Sequence, residues 1–153
     1  MQLLTVFYRT SLNKGHEMTT VQSDLENIRS YLSIQPMLSC TGDEKSIRQL
    51  LSILLDNALK YSPAGGRLEL RLEKQGRGIL LTVSNTTGRP VDPDKLPRLF
   101  DRFYRSDQSR SSQTGGYGLG LSIAKSIVQA HKGKIRAESH DGMSLSVVVT
   151  LPN

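Results

Sequence analysis

Between Arg67 and Asn85 the chain alternates with period two. Leu68, Leu70 and Leu72 are interleaved with Arg67, Glu69, Arg71 and Glu73, and a Gln75-Gly76-Arg77-Gly78 turn leads into a second run, Ile79 to Asn85. Successive strand side chains point to opposite faces, so this pattern specifies a hairpin with one apolar and one wet face. An apolar sheet face has to be covered, and helices are the cover this sequence offers. Asp43 is a good N-cap for a helix running to Ser62, with Ile47, Leu50, Leu51, Leu54, Leu55 and Ala58 at helical spacing. Ser62-Pro63-Ala64-Gly65-Gly66 breaks it. A second helix is predicted from about Leu119 to His131, with Ile123, Ala124, Ile127 and Val128 inward and Gly133 suited to its end. Two closing strands carry Ile135 and Ala137, then Leu145, Val147, Val149 and Leu151. Strands in consecutive pairs with helices set between them predict an α+β sandwich, helices on one sheet face and charged strand faces in water.

The first 35 residues read differently. Leu3, Leu4, Phe7, Tyr8 and Leu12 form one apolar helical face, ending at Asn13-Lys14-Gly15. Val21, Leu25, Ile28 and Leu32 form another, with Thr19 and Gln22 as a capping box. Pro36 closes this block. The expected organisation is an amphipathic helical segment over residues 1–36 and a second unit over residues 37–153.

Composition narrows the function classes. At 153 residues, about two-thirds of the unfolded surface can be buried, so no metal or disulfide staple is required. The lone Cys40 cannot form an internal disulfide, and no apolar run approaches the length of a membrane span. The start, MQLLTVFYRT, lacks a signal-peptide pattern, so a cytoplasmic location is expected. A net charge of +6 admits nucleic acid or a phosphorylated ligand. The basic residues form no dense stripe and aromatics are only 5%, which places nucleic acid last among the partners.

Two features carry chemistry. On the Asp43–Ser62 helix, Ile53, Asn57 and Lys60 stack on one side, away from the apolar stripe. An amide oxygen suits Mg²⁺ and a lysine one turn on suits phosphate oxygens, the alternative being a solvated Asn-Lys pair. Gly115-Gly116-Tyr117-Gly118-Leu119-Gly120-Leu121 precedes the second helix, where a glycine-rich backbone and helix N–H groups can face phosphates. No Gly-Lys-Ser/Thr follows, and a long polar loop precedes it, so it is neither a Walker loop nor a dinucleotide fingerprint. Alone, it reads equally as a flexible hinge.

In combination the motifs resemble a known family. Leu54-Leu55-Asp56-Asn57-Ala58-Leu59-Lys60-Tyr61-Ser62 is similar to the N box of sensor histidine kinases, and Leu99-Phe100-Asp101-Arg102-Phe103-Tyr104-Arg105 to their F box. Gly116-Tyr117-Gly118-Leu119-Gly120-Leu121-Ser122-Ile123 resembles their second glycine box. The resemblance covers roughly Cys40 to Leu151, with the three motifs in order. It implies the ATP-binding fold shared with type II topoisomerases, the Hsp90 chaperone and MutL-type repair proteins. That fold is a two-layer sandwich whose mixed, mainly antiparallel sheet carries helices on one face, with a mobile lid over ATP. By this resemblance Asn57 would bind Mg²⁺, Lys60 would contact phosphate, and Tyr61 would pack near the nucleotide. Gly116, Gly118, Leu119, Gly120 and Leu121 would form the phosphate-facing lid end. Phe100 and Phe103 would anchor the lid. Arg102, Arg105 and Arg110 are candidates for the γ-phosphate, with solvated loop arginines as the alternative.

The sequence departs from the family pattern twice. Where the first glycine box offers an Asp to the adenine amino group, this chain has Asn85-Thr86-Thr87-Gly88, so Asn85, with Gly88 after it, is the candidate. Ile53 occupies the position where hydrolysing relatives carry a Glu base, and isoleucine cannot activate water. Phosphoryl transfer, or nucleotide binding without turnover in a gated interaction module, is therefore favoured over hydrolysis. The acceptor histidine is not evident. His16 follows a helix break and its run lacks the Arg and Pro of the acceptor motif, and His131 and His140 read as surface residues. Phe7 to Gly15 and Asp24 to Gln35 resemble instead the helices after the acceptor in the internal-region class of sensor kinases, with Gln35 unusually close to the N box. This implies a fusion or junction near Pro36. The expected partners are a phosphoacceptor helical domain and a response regulator. A homodimer in a full-length kinase is also expected, with membrane contact only through parts outside this chain.

Overall fold

The computed structural model describes residues 29–35, 38, 40–102 and 120–152. The expected hairpin forms as β2 (Arg67–Gln75) and β3 (Gly78–Thr86), paired antiparallel with Leu70 opposite Val83 and Leu72 opposite Leu81. The closing strands are β4 (Lys134–Glu138) and β5 (Ser144–Leu151). β5 pairs antiparallel with β3, and β4 lies outside β5. Leu68, Leu70, Leu72, Ile79, Leu81, Val83, Val147, Val149 and Leu151 are buried on one face. The opposite face of β2 carries Arg67 and Arg71 flanking Glu69, with an Arg71–Glu69 pair at 2.9 Å. These exposed pairs shape the wet face and add little stability.

The fifth strand corrects the helical reading of the first 36 residues at Arg29–Ile34. Arg29–Ile34 is a strand, β1, parallel to β2 with Ile34 opposite Leu72, giving the order β1-β2-β3-β5-β4. Spacing of three and four between apolar residues suggested a helix, but β2 would otherwise present an open row of N–H and C=O groups. Pairing satisfies that edge, and Gln35 extends it: its N–H donates to Leu72 O at 2.9 Å, and its Oε1 accepts from Lys74 N at 2.9 Å. Tyr31 then lies under the Arg67 guanidinium, 4.2 Å from ring centroid to Cζ, a cation–π contact. Tertiary pairing thus overrode local periodicity. The other N-terminal expectations, at residues 1–28, lie outside the described residues.

Two α-helices cover the apolar face. α1 (Glu44–Tyr61) buries Ile47, Leu50, Leu51, Leu54, Leu55 and Ala58, the predicted stripe. α2 (Gly120–Ala130) buries Ala124, Ile127 and Val128, but Ile123, expected inward, is 39% exposed. On an eleven-residue helix the core stripe is narrow, and Ile123 falls at its margin. The stretch leading into the F-box-like run forms a 3-10 helix at Pro93–Phe100, N-capped by Asp92, whose carboxylate accepts from Asp94 N at 3.0 Å. Phe100 at its end is buried in the core.

α2 ends in a Schellman arrangement. Lys132 N–H donates to Gln129 O at 3.0 Å and Gly133 N–H to Val128 O at 2.9 Å. The left-handed residue is Lys132 (φ 59°), where glycine would be expected. Gly133 is required for a different reason: a Cβ there would collide with the Thr150 carbonyl of β5. Cys40 is buried, and burial pushes its thiol above the ordinary value of 9.0.

Candidate nucleotide-binding site

α1 has two functional ends. At its start, Asp43 Oδ2 accepts from Ser46 N at 2.9 Å and from Ser46 Oγ at 2.6 Å. These hydrogen bonds, first the hydroxyl and then the backbone one, hold the Asp43 carboxyl below its ordinary value of 3.8. At its finish, Ser62 Oγ donates to Ala58 O at 2.7 Å, and Pro63 cannot continue the helix. Along the side away from the core stripe, Ile53 and Asn57 are half-buried and Lys60 is exposed. Tyr61 is half-buried beside them at the last turn.

The end of β3 is drawn against the end of α1. Gly66 N–H donates to Pro63 O at 2.9 Å, and Arg67 N–H donates to Thr86 Oγ1 at 2.7 Å. A Cβ on Gly66 would stand 2.6 Å from Thr86 Oγ1, so only glycine permits this approach. Beyond Thr86, a Cβ on Gly88 would lie 3.8 Å from Pro63 Cβ, which sets the strand exit beside the helix exit. The exit loop is fastened from the other side: Thr87 N–H donates to Met143 O at 2.9 Å and Val91 N–H to Gly142 O at 2.7 Å. Asp141 shapes that hairpin by accepting from Ser144 Oγ at 2.7 Å and Met143 N at 2.9 Å, which lowers its carboxyl below 3.8.

Asn85 sits on the apolar sheet face at this exit, 3% exposed. Its Nδ2 donates to Thr86 O at 2.9 Å, which leaves Oδ1 as the acceptor. Among the described residues, Asn85 and Ser62 are the buried polar side chains, and both lie at this end of the fold. Burying an amide among leucines and valines is costly unless its hydrogen bonds are met. A ligand with a donor, such as an adenine amino group, matches what Oδ1 offers.

The third contributor is the start of α2. A Cβ on Gly120 would lie 3.5 Å from Ile53 Cγ2, so the first residue of α2 rests one turn from Asn57 along α1. The first turn of α2 holds no acidic residue, so no carboxylate within that turn offsets the positive end of its dipole. Leu121 is half-buried and packs against the core.

The structure therefore places Asn57, Lys60 and Tyr61 along the last two turns of α1, Gly120 facing Ile53 one turn before Asn57, and Asn85 and Gly88 where β3 leaves the sheet beside Pro63. Arg102 is exposed just past Phe100. Phe103, Arg105, Arg110, Gly116, Gly118 and Leu119 lie outside the described residues. Asn57 supplies a single amide oxygen, which fits Mg²⁺, an ion that retains waters and phosphate oxygens as its other ligands. One residue was misread. His131, expected on the surface, is half-buried, with Nε2 3.1 Å from the Asp43 backbone N and Nδ1 2.8 Å from Ile127 O. The only sequence signal was its place at the end of an amphipathic helix. His140 is exposed as expected, 3.4 Å from Glu138.

Comparison with known proteins agrees with this geometry. The family model described as histidine kinase-, DNA gyrase B-, and HSP90-like ATPase matches residues 42–153. The sensor histidine kinase CusS of Escherichia coli K12 is 46% identical over 111 residues, which is 72% of this chain and 23% of that protein. The sensor histidine kinase WalK of Bacillus subtilis 168 is 41% identical over 111 residues, 72% of this chain and 18% of that protein. The chain thus spans less than a quarter of these relatives' length. Among solved structures, the mycobacterial sensor histidine kinase MprB matches with a TM-score of 0.78 at 25% identity, covering 99% of this chain and 96% of that one. The catalytic domain of ThkA matches in fold, with a TM-score of 0.78 at 22% identity over 99% and 93% of the two chains. With the family model matching residues 42–153 and the mixed sheet covered by helices on one face, the chain belongs to the histidine kinase-, DNA gyrase B-, and HSP90-like ATPase family.

Proposed function

We propose that this chain binds Mg²⁺-ATP and passes its γ-phosphoryl group to a histidine on a separate helical element, as the catalytic portion of a sensor histidine kinase. The observations that carry the reading are Asn57 one turn along α1 from the Gly120–Ile53 approach, and buried Asn85 where β3 exits beside the end of α1. Asn85 Oδ1 accepts from the adenine amino group, and Gly88 lets the exit loop pass close to the base. Asn57 holds Mg²⁺ through its amide oxygen while Lys60 meets phosphate oxygens. Mg²⁺, when bound, offsets the charge of the triphosphate. Tyr61 packs beside the nucleotide. Gly120 and Leu121, with Gly116, Gly118 and Leu119 before them, form the phosphate-facing end, and Arg102, Arg105 and Arg110 are the guanidinium candidates for the γ-phosphate. Catalysis of this kind is positioning plus electrostatics.

Ile53 supports transfer over hydrolysis, because the half-buried side chain near Gly120 cannot take a proton from water. The partners that follow are a phosphoacceptor helical domain and a response regulator. The segment over residues 1–36, through its runs Phe7–Gly15 and Asp24–Gln35, is proposed to derive from the internal-region class, with the junction near Pro36. The test is transfer of labelled γ-phosphate to a purified acceptor-helix protein. Transfer that disappears in Asn57→Ala supports the reading. Tight Mg²⁺-ATP binding with no transfer to any acceptor favours an interaction module gated by nucleotide.

A further inference from the structure

The two helices touch at both ends of their overlap. Gly120, first in α2, stands against Ile53 of α1, while His131, just past the last turn of α2, stands against Gly42 and Asp43 at the start of α1. The contacts are ten positions apart on α1 and eleven on α2, about 15 and 16.5 Å of helix. The pair is therefore antiparallel and in register, and each contact constrains the other.

The His131 contact has defined chemistry. A backbone N–H can only donate, so His131 Nε2 accepts from Asp43 N–H at 3.1 Å. The Ile127 carbonyl can only accept, so Nδ1 carries the ring proton and donates to it at 2.8 Å. One neutral imidazole thus joins the last turn of α2 to the N-cap of α1. In a capping box, the N3 side chain returns to the N-cap N–H. Here the N3 residue is Ser46, and its hydroxyl is committed to Asp43 Oδ2. The histidine, 88 positions away, takes over that duty. Gly42 makes room for it: a Cβ there would sit 2.6 Å from the ring Cδ2 and 2.8 Å from Nε2. Gly42 does not have a positive φ, so the ring is what demands glycine.

We propose that His131 is a positioning residue: by locking α2 in register on α1, it sets Gly120 beside the Ile53–Asn57 turn and so tunes nucleotide affinity from the far end of the helix pair. This rests on the nucleotide reading above. The test measures Kd for a fluorescent ATP analogue with Mg²⁺ and amide hydrogen exchange at Gly120–Ala124, in the 153-residue chain and three variants. His131→Ala should weaken binding about fivefold, the weight of one hydrogen bond, and quicken exchange at those amides but not in β2 and β3. His131→Gln keeps an acceptor at the Nε2 position and should restore most of the affinity. Gly42→Ala, which evicts the ring while leaving it intact, should reproduce His131→Ala. Combining the two should cost no more than either alone. A lower melting temperature with unchanged Kd and unchanged exchange in His131→Ala and Gly42→Ala would overturn the proposal, leaving His131 a stabilising contact. If the unaltered chain binds no nucleotide, the functional reading fails, and the exchange rates still decide whether His131 locks the helix register.

Discussion

The two ends of the α1–α2 pair are built on different physics. At the His131 end, the polar groups meet one another: Asp43, Ser46, the Asp43 N–H, the imidazole and the Ile127 carbonyl form a closed set of directional bonds. At the Gly120 end, the first residue of α2 faces Ile53 closely enough that an added Cβ would lie at ordinary van der Waals distance, 3.5 Å, from Ile53 Cγ2. Around it lie half-buried Asn57, buried Asn85 and a helix start with no acidic side chain. One helix N-terminus is occupied by its own N-cap carboxylate, and the first turn of the other carries no acidic residue. On the proposed reading the ligand takes the end without such a closed set, and the closed end serves as its foundation.

The largest expected effect tests the open end. Asn57→Ala should weaken Mg²⁺-ATP binding at least about a hundredfold, some 2.7 kcal/mol, with the circular dichroism spectrum retained. Titration calorimetry measures it, and unchanged affinity would remove Asn57 from the site. Next, Gly133→Ala should destabilise the fold by about 2 kcal/mol in urea unfolding, because the new methyl overpacks against the β5 backbone beneath the closed end. Lys132→Gly should move stability the other way, by about 1 kcal/mol, by relieving the left-handed conformation at a solvent-exposed turn.

The smallest effect is in acid. Asp43 and Asp141 both have carboxyls lowered by hydrogen bonds, so each contributes stability that is present above its unfolded value and lost as pH falls through the folded one. Acid unfolding should accordingly steepen below about pH 4, in the ordinary carboxylate range. Asp43→Asn should flatten that limb at the closed end, and Asp141→Asn should flatten it through the hairpin that holds the Thr87–Val91 loop. Identical acid limbs in all three proteins would show that neither carboxylate matters to folding.

Much of this was legible in the sequence. Alternation in Arg67–Glu73 and the stripe from Ile47 to Ala58 depend on burial against one face, which leaves a period, and the structure has both. Asn57 stands out as a polar residue beside an apolar helical stripe, whereas Asn85 is a candidate only through the family resemblance, at the place where the family offers an Asp. β1 was not, because a six-residue strand leaves too little period to compete with a helical spacing, and its partner strand is more than thirty residues away. His131 was hidden for a similar reason: its partner is 88 positions distant, and nothing local distinguishes an interlocking histidine from a surface one. Gly133 looked like a helix stop, but its cause is the Thr150 carbonyl of another strand.

The account stands on the open end being a Mg²⁺-nucleotide site, and a thermal unfolding titration of the chain and of Asn57→Ala with Mg²⁺-ATP and Mg²⁺-ADP tests that most directly. At a hundred times Kd, nucleotide should stabilise the unaltered chain by about 2.7 kcal/mol and leave Asn57→Ala nearly unmoved. No shift in the unaltered chain at millimolar nucleotide, or equal shifts in both proteins, would contradict it.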